Sequence, residues 1–132
     1  MPQTIRTFLM FQNGQAQAAL DKYAALVPGA EVRSVERYGA DGPAPEGSVF
    51  RAFLMLGGQE VQVTDSPVPH DFGFTPSMSF FIECDTAEQV DALAASLGEG
   101  GGVMMPPGAY GFSERFAWIS DEFGVSWQLN FG

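Results

Sequence analysis

The hydrophobic pattern along the chain changes several times between a period of two residues and a period of about 3.6, which predicts alternating strands and helices. Residues 4–11 are β-branched and aromatic and predict a strand that Asn13-Gly14 ends. The apolar positions that follow recur at helical spacing, and Pro28-Gly29 closes this predicted helix. Three strands are predicted next, the last two joined by a Gly-Gly hairpin turn: 31–38, 49–56 and 59–64.

A proline-rich segment, 67–76, interrupts the pattern, and the same order of elements then returns. Residues 77–83 predict a strand, and Asp85-Thr86 followed by Glu88 and Gln89 is typical of a helix N-terminus with a capping box. The apolar positions of this second helix are followed by a glycine-rich stretch that ends it. The remaining predicted elements are a strand near 103–105, a Pro/Gly-rich loop over 106–114, and a hairpin of strands 116–120 and 125–131.

The order strand, helix, three strands therefore occurs twice. Gly58 and Gln62 are repeated 66 residues later by Gly124 and Gln128, which is half the chain. We predict an α+β protein, a single domain over 1–132 made of two βαβββ modules, with module bounds 1–66 and 77–132 and a linker at 67–76. One module leaves a face of its curved sheet bare, and the second module can cover it. The alternative is that the glycine spacing is a coincidence in an ordinary α+β protein.

Composition and charge exclude several kinds of partner. The chain carries 16 acidic and 6 dispersed basic residues, a net charge of −10, so nucleic acid and anionic membrane surfaces are not expected to bind. Apolar runs reach only five residues, far short of the roughly 20 that a membrane-spanning helix needs. The N-terminal MPQTIRTF lacks the order of charged, apolar and small residues of a signal peptide. With one cysteine no internal disulfide can form, and a cytoplasmic location is expected.

Several segments together resemble a known family. They are FLMF, GGQEVQVTD, SFFIECDTAEQVDAL and ISDEFGVSWQLNF, at 8–11, 57–65, 79–93 and 119–131. They resemble the PhnB-like branch of the vicinal oxygen chelate superfamily, which also contains glyoxalase I, extradiol dioxygenases and bleomycin-resistance proteins. The most specific piece is D-x-F-G-V-x-W-Q at 121–128. Members of this branch are often labelled 3-demethylubiquinone-9 3-methyltransferase-like, and the resemblance implies paired βαβββ modules, a cupped sheet around a cavity, and a homodimer.

The resemblance also gives an expectation about metal. Metal-dependent members of the superfamily carry His or Glu ligands on the first and last strands of each module. Matched by motif, those positions are Phe8, Gln62, Ser79 (or Ser77) and Gln128. A phenyl ring offers no ligand atom and neutral amides bind divalent ions weakly, so we expect no metal and no cofactor. The glyoxalase and dioxygenase activities, which need a metal, therefore remain only as alternatives, with a metal recruited at shifted positions. A demethylubiquinone methyltransferase-like enzyme of unknown substrate is a further alternative that the resemblance implies.

Few residues suggest catalysis. His70 is of the residue type that most often serves as a general base, but a solvated loop histidine explains it equally. Glu83 ends a strand and is a base if it points into the cup, or a solvated carboxylate if it does not. Cys84 stands between two acids that disfavour its thiolate, which predicts a buried structural cysteine. The sequence GEGGG at 98–102 follows a helix instead of preceding one, so it predicts a helix end and not a site for a methyl donor.

The positions expected to line the cup are aromatic, with a few neutral hydrogen-bonding groups, as in many small-molecule sites. They are Phe8, Gln62, Thr64, Ser79, Phe81, and Trp127 or Gln128, with Tyr110 and Phe112 on the glycine-rich loop. The hypothesis favoured by this pattern is a protein that binds a small apolar or aromatic molecule without a metal. The alternatives are an enzyme of unassigned reaction that uses Glu83 or His70, and a structural or interaction role in which these aromatic residues only fill the core.

Overall fold

The computed structural model describes residues 3–132, which form two compact units, one ending at Asp71 and the other spanning Phe72–Gly132. The boundary between the units falls inside the segment 67–76 that was predicted as a linker. Met1 and Pro2, which belong to the predicted first module and to the N-terminal segment compared with a signal peptide, lie outside the described residues. Each unit has the order strand, helix, three strands, so the prediction of an α+β fold with two βαβββ modules is confirmed.

The first unit contains one helix and a mixed sheet of four strands. Its elements are β1 (Thr7–Phe11), α1 (Ala16–Leu26), β2 (Glu31–Arg37), β3 (Val49–Leu56) and β4 (Gln59–Asp65). The strand order is β1-β4-β3-β2, with β1 parallel to β4 and the other pairs antiparallel. Gly57 and Gly58 both have positive φ, which is the backbone geometry that the predicted two-residue hairpin turn requires.

Alternation of burial along the strands shows which face of this sheet forms the core. Leu9 on β1 and Val61 and Val63 on β4 are buried, and so are Leu20 and Tyr23 of α1. Because successive strand residues point to opposite faces, the residues between these buried positions lie on the face turned away from the helix. The helix therefore covers one face of the sheet only.

Asp65, at the end of β4, connects three elements of the first unit. Its carboxylate accepts hydrogen bonds from the backbone N–H of Ala16, at 2.9 Å, and of Val49, at 2.8 Å. The N-cap residue of α1, Gln15, makes no side-chain capping bond of its own. A carboxylate from a distant strand therefore satisfies a donor at the start of the helix, where negative charge is also favoured by the helix dipole.

The second unit repeats this plan. Its elements are β5 (Ser79–Glu83), α2 (Ala87–Gly98), β6 (Gly102–Tyr110), β7 (Ser113–Ser120) and β8 (Ser126–Phe131). The strand order is β5-β8-β7-β6, with β5 parallel to β8 and the other pairs antiparallel. The predicted capping box is present, since Thr86 accepts from the N–H of Gln89 and the Gln89 side chain accepts from the N–H of Asp85.

The prediction for β6 was wrong in its length. A short strand near 103–105 followed by a Pro/Gly-rich loop over 106–114 was expected, whereas the strand continues through Pro106 and Pro107 to Tyr110, and β7 already begins at Ser113. β6 is the edge strand of its sheet, and its register with β7 shifts three times. An irregular edge strand tolerates proline because its outward N–H groups have no ladder partner to lose.

The turn between β7 and β8 is built around a buried carboxylate. Asp121 is 2% exposed, and its Oδ1 accepts from the backbone N–H of Phe123 and Val125 at 2.9 and 3.0 Å. Its Oδ2 accepts from the indole N–H of Trp127 at 3.0 Å. Gly124 has φ of 91°, which closes the turn. Most of the D-x-F-G-V-x-W-Q segment therefore has a structural role.

Neither helix within residues 3–132 is long and apolar enough to cross a membrane.

Candidate functional site

The face of each sheet that is turned away from its helix, here called the open face, carries most of the predicted ligand-binding residues. On the first sheet, the parallel pairing of β1 with β4 places Phe8 beside Gln62, and Phe53 of β3 lies on the other side of Gln62. Phe8 is 54% exposed. The Thr64 hydroxyl donates to the carbonyl oxygen of Phe50 at 2.6 Å, so this predicted residue already uses its proton within the sheet.

A charged pair also lies at the first open face. The guanidinium of Arg6 pairs with the carboxylate of Glu60 and sits 5.3 Å from the ring centroid of Phe53. Both charged side chains are about one-third exposed, so the pair adds little to stability. The first open face thus mixes aromatic, amide and charged groups.

The open face of the second sheet carries a continuous row of hydrogen-bonded polar side chains. The indole N–H of Trp118 donates to Ser126 Oγ at 2.8 Å, and Ser126 Oγ lies 2.6 Å from Ser79 Oγ. The side-chain N–H of Gln128 donates to the same Ser79 Oγ at 3.3 Å. We call these four residues the polar row. Two of them, Ser79 and Gln128, were predicted from the sequence.

An aromatic cluster adjoins the polar row. It consists of Phe81, Tyr110, Phe112 and Phe116, whose ring centroids lie 4.9–6.3 Å apart in the contacting pairs. Phe116 is buried beneath the others, while Phe81 and Phe112 are 53% and 65% exposed. The Tyr110 hydroxyl donates to the carbonyl oxygen of Pro106 at 2.7 Å, which fixes its ring. Stacked and edge-on rings with exposed outer members form an apolar surface suited to a planar molecule.

Sequence reasoning missed Trp118, Ser126 and Phe116, and the strand pairings explain why. Trp118 pairs with Gln128, Ser126 with Ser79, and Phe116 with Asn130. Once β7 and β8 are aligned, alternation along each strand puts these side chains on the same face as the predicted residues. The sequence shows which residues alternate along each strand, but the alignment of β7 with β8 is needed to tell which side chains share a face.

Two predicted positions require correction. Trp127 was offered with Gln128 as a lining residue, but it is 1% exposed, packs against Phe80 and lies on the helix side of the sheet. Adjacent strand residues cannot share a face, and Gln128 is the one on the open face. The resemblance matched Ser79 to a ligand position, yet Gln128 pairs with Phe81 as Gln62 pairs with Phe8. Phe81 is therefore the counterpart of Phe8.

Glu83 and His70, the catalytic candidates, lie in different units. Glu83 is exposed at the end of β5, where its carboxylate accepts from the Asn130 side chain at 3.2 Å. His70 Nε2 lies 3.0 Å from Ser66 Oγ, but that hydroxyl is closer to the carbonyl oxygen of Val68, at 2.7 Å. A hydroxyl has one proton, so the proton that a nucleophilic serine must give to histidine is directed at a carbonyl instead. A catalytic role for either residue stays a prediction.

The expectation for Cys84 agrees with its surroundings. The residue is 8% exposed, and burial raises the pKa of its thiol, with the carboxylates of Asp85 and Glu83 adding to the rise. A thiol with a raised pKa is a poor nucleophile at neutral pH.

The first unit also contains a cavity of about 420 Å³ that was not predicted from the sequence. It lies beside the N-terminus of α1, and its polar lining includes Gln12, Ser48, Asp65 and Ser66. The Asp65 carboxylate accepts from two backbone N–H groups, so the acidic side chain that lines this cavity serves the fold.

Comparison with known proteins places this fold and its motifs in a family. A family model described as 3-demethylubiquinone-9 3-methyltransferase matches residues 3–130. The chain belongs to this family. A search of the curated proteins found no match.

Solved structures agree with this PhnB-like assignment. The PhnB protein of Bacillus cereus is 44% identical over 98% of this chain and 100% of that one, with a TM-score of 0.93. A protein from Pseudomonas aeruginosa is 27% identical over 98% of each chain, with a TM-score of 0.81. A glyoxalase/bleomycin resistance protein from Albidiferax ferrireducens, 17% identical over 98% of this chain and 99% of that one with a TM-score of 0.59, shares the fold.

The side chains of this PhnB-like protein do not fit the divalent ion that the superfamily implies. The positions matched to metal ligands hold Phe8 and Gln62 in one unit, and Gln128 with Ser79 or Phe81 in the other. Phenyl rings, neutral amides and a neutral hydroxyl supply no anionic oxygen and no imidazole nitrogen. Among residues 3–132, no three His, Cys, Asp or Glu side chains lie close enough to hold an ion.

The glycine-rich segment does not fit a methyl donor either. α2 ends at Gly98, and Gly100 has φ of 80° just after it. A Cβ on Gly101 would lie 2.7 Å from the carbonyl group of Asp121 and closer still to the carbonyl oxygen of Ser120. The backbone at Gly101 therefore packs against the β7–β8 turn, and close packing against the protein explains this glycine.

Proposed function

We propose that this PhnB-like protein binds a small aromatic or apolar molecule on the open face of its second sheet, without a divalent metal. The observation that carries the proposal is the aromatic cluster, whose outer rings Phe81 and Phe112 are more than half exposed beside the polar row. Exposed phenylalanines that contact each other cost free energy in water, and a ligand that covers them recovers it.

The polar row supports the same proposal. Two serines, a glutamine and an indole lie in one hydrogen-bonded line next to the rings. Small-molecule sites combine apolar walls with a few fixed polar groups that orient the ligand. All four side chains are neutral, so they suit a ligand of low charge, and the net charge of −10 also disfavours anions.

A fluorescence titration tests the proposal. The neutral probe N-phenylnaphthylamine is added to the protein in buffer with EDTA, and the same titration is run on Phe81→Ala and Val103→Ala. Val103 is the matched control, since it is 62% exposed in the same unit but pairs with Ile119, whose side chain faces the helix. We expect Phe81→Ala to weaken binding about tenfold, which corresponds to about 1.4 kcal/mol of lost contact, and Val103→Ala to change nothing.

Two results would contradict the proposal. One is equal affinity of the wild type and Phe81→Ala for the probe. The other is binding that appears only after zinc, nickel or manganese replaces EDTA, which would mean that a metal contributes ligand contacts.

Methyl transfer is the second candidate, favoured by the description of the family model. It is tested by calorimetric titration with S-adenosylmethionine. Heat of binding with one-to-one stoichiometry would support a methyltransferase over a binding protein.

We propose in addition that the protein forms a homodimer. Exposed apolar side chains outside the polar row and the aromatic cluster support this proposal, among them Ile5 and Met78, which are 93% and 75% exposed. Association would remove such side chains from water. Sedimentation equilibrium at micromolar concentration is expected to give twice the chain mass of 14.2 kDa, and the monomer mass would refute the proposal.

A further inference from the structure

The direction of the proton between the two serines of the polar row follows from their burial. Ser126 is 1% exposed and already accepts from the indole N–H of Trp118, while Ser79 is half-buried. Each hydroxyl has one proton, and a buried polar group needs a partner for it. Among residues 3–132, Ser79 Oγ is the only acceptor in reach of the Ser126 proton. Ser126 therefore donates to Ser79.

This direction leaves a specific pair of groups available on the open face. Ser79 Oγ accepts from both Ser126 and Gln128, so its two lone pairs are used, and its own proton has no acceptor among residues 3–132. Gln128 uses one of its two side-chain N–H groups on Ser79, and no described residue donates to its Oε1. A donor, Ser79 O–H, and an acceptor, Gln128 Oε1, thus stand next to each other beside Phe81.

We propose that Ser79 and Gln128 together recognise a neutral amide or lactam group whose aromatic body packs on Phe81. The carbonyl oxygen of the ligand accepts from the Ser79 hydroxyl, and its N–H donates to Gln128 Oε1. The inference rests on the proposed function and adds the chemical class of the ligand to it.

Charge and hydrogen-bond chemistry favour an amide over a carboxylate. A carboxylate accepts hydrogen bonds but donates none, so Gln128 Oε1 would face a second acceptor. An anion is also disfavoured by the net charge of −10, to which Glu83, on the same face of β5 as Ser79 and Phe81, contributes. A neutral amide avoids both costs and matches both groups.

Calorimetric titration with three naphthalene compounds tests the inference. Naphthamide carries the carbonyl and the N–H, N,N-dimethylnaphthamide keeps the carbonyl without the N–H, and naphthoate is the anion. We expect naphthamide to bind at least about fivefold more tightly than either of the others, the effect of one net hydrogen bond of about 1 kcal/mol. In Ser79→Ala and Gln128→Met this preference is expected to disappear. Ser77→Ala, on exposed Ser77, is the control and should keep it.

Each outcome decides the inference. Equal binding of naphthamide and its dimethyl derivative, both weakened by Phe81→Ala, would overturn the amide assignment and leave the aromatic site in place. Binding of all three compounds that is insensitive to Phe81→Ala would overturn the proposed function as well. Thermal unfolding of each variant shows whether it is folded. If Ser79→Ala is unfolded, Gln128→Met alone decides, and a preference that persists in it contradicts the proposal.

Discussion

The buried carboxylate of Asp121 allows a quantitative prediction about the motif that identifies this family. Asp121 accepts from the backbone N–H groups of Phe123 and Val125 and from the indole of Trp127. In Asp121→Ala the N–H groups of Val125 and Trp127, both in buried residues, lose this acceptor. Each lost partner costs about 2 kcal/mol, so we expect a destabilisation of about 4 kcal/mol. That is a large share of the 5–15 kcal/mol typical of folded domains.

Asp121→Asn separates the contribution of the backbone N–H groups from that of the Trp127 indole. The asparagine oxygen still accepts from the two backbone N–H groups, but its NH₂ group faces the indole N–H of Trp127, so only one bond is lost. We expect about 2 kcal/mol for this variant. Asp41→Ala, which removes an exposed carboxylate from a loop, should change stability by less than about 0.5 kcal/mol.

Urea unfolding followed by circular dichroism measures these differences, and thermal melting should show a decrease of about 12 °C for Asp121→Ala, at roughly 3 °C per kcal/mol. A loss below about 1 kcal/mol in Asp121→Ala, or equal losses in the alanine and asparagine variants, would refute the reasoning. The motif would then need another explanation, such as direct participation in ligand binding.

Three further predictions concern single residues. Gly101→Ala should lose about 2–3 kcal/mol of unfolding free energy in urea, because the added Cβ meets the backbone of the β7–β8 turn. Gly73→Ala, whose Cβ meets nothing within 4 Å, should lose none, and equal stability of the two variants would contradict the packing argument. Thr86→Ala should cost about 1 kcal/mol in the same assay by removing the N-cap of α2, and Thr86→Ser should not. Burial raises the pKa of the Cys84 thiol above its value in the unfolded chain. The contribution of the thiol to stability is therefore complete below about pH 8.5 and is lost as pH rises through the folded pKa. Unfolding of the wild type and of Cys84→Ala across this pH range should show this loss of stability in the wild type only.

Much of the fold could be predicted because local patterns and tertiary structure agree. β3 has the predicted bounds 49–56, and the capping residues of α2 act as their sequence indicates. The prolines of β6 misled the prediction because a single sequence does not show that a strand lies at a sheet edge, where proline is tolerated. Strand position within a sheet is a tertiary property.

The candidate site was less predictable for a related reason. Alternation put Gln62 and Thr64 on one face of β4 and Val61 and Val63 on the other, as the structure has them. For β8 the sequence did not decide whether Trp127 or Gln128 lines the site, because both residue types are common in sites and in cores. The indole N–H of Trp127 donates to Asp121, which goes with a Trp127 ring on the helix side of the sheet. This hydrogen bond depends on how the β7–β8 turn folds. Contacts that cross between strands therefore limit what can be inferred from sequence alone.

The central claim is that an aromatic ligand binds the open face of the second sheet without a metal. Amide chemical-shift mapping of N-phenylnaphthylamine binding in EDTA tests it most directly, because it reports which strands the probe touches. The account predicts the largest shifts on β5, β7 and β8 around Phe81, Trp118 and Gln128. Shifts confined to other parts of the chain, or shifts that appear only when a divalent ion is added, would contradict it.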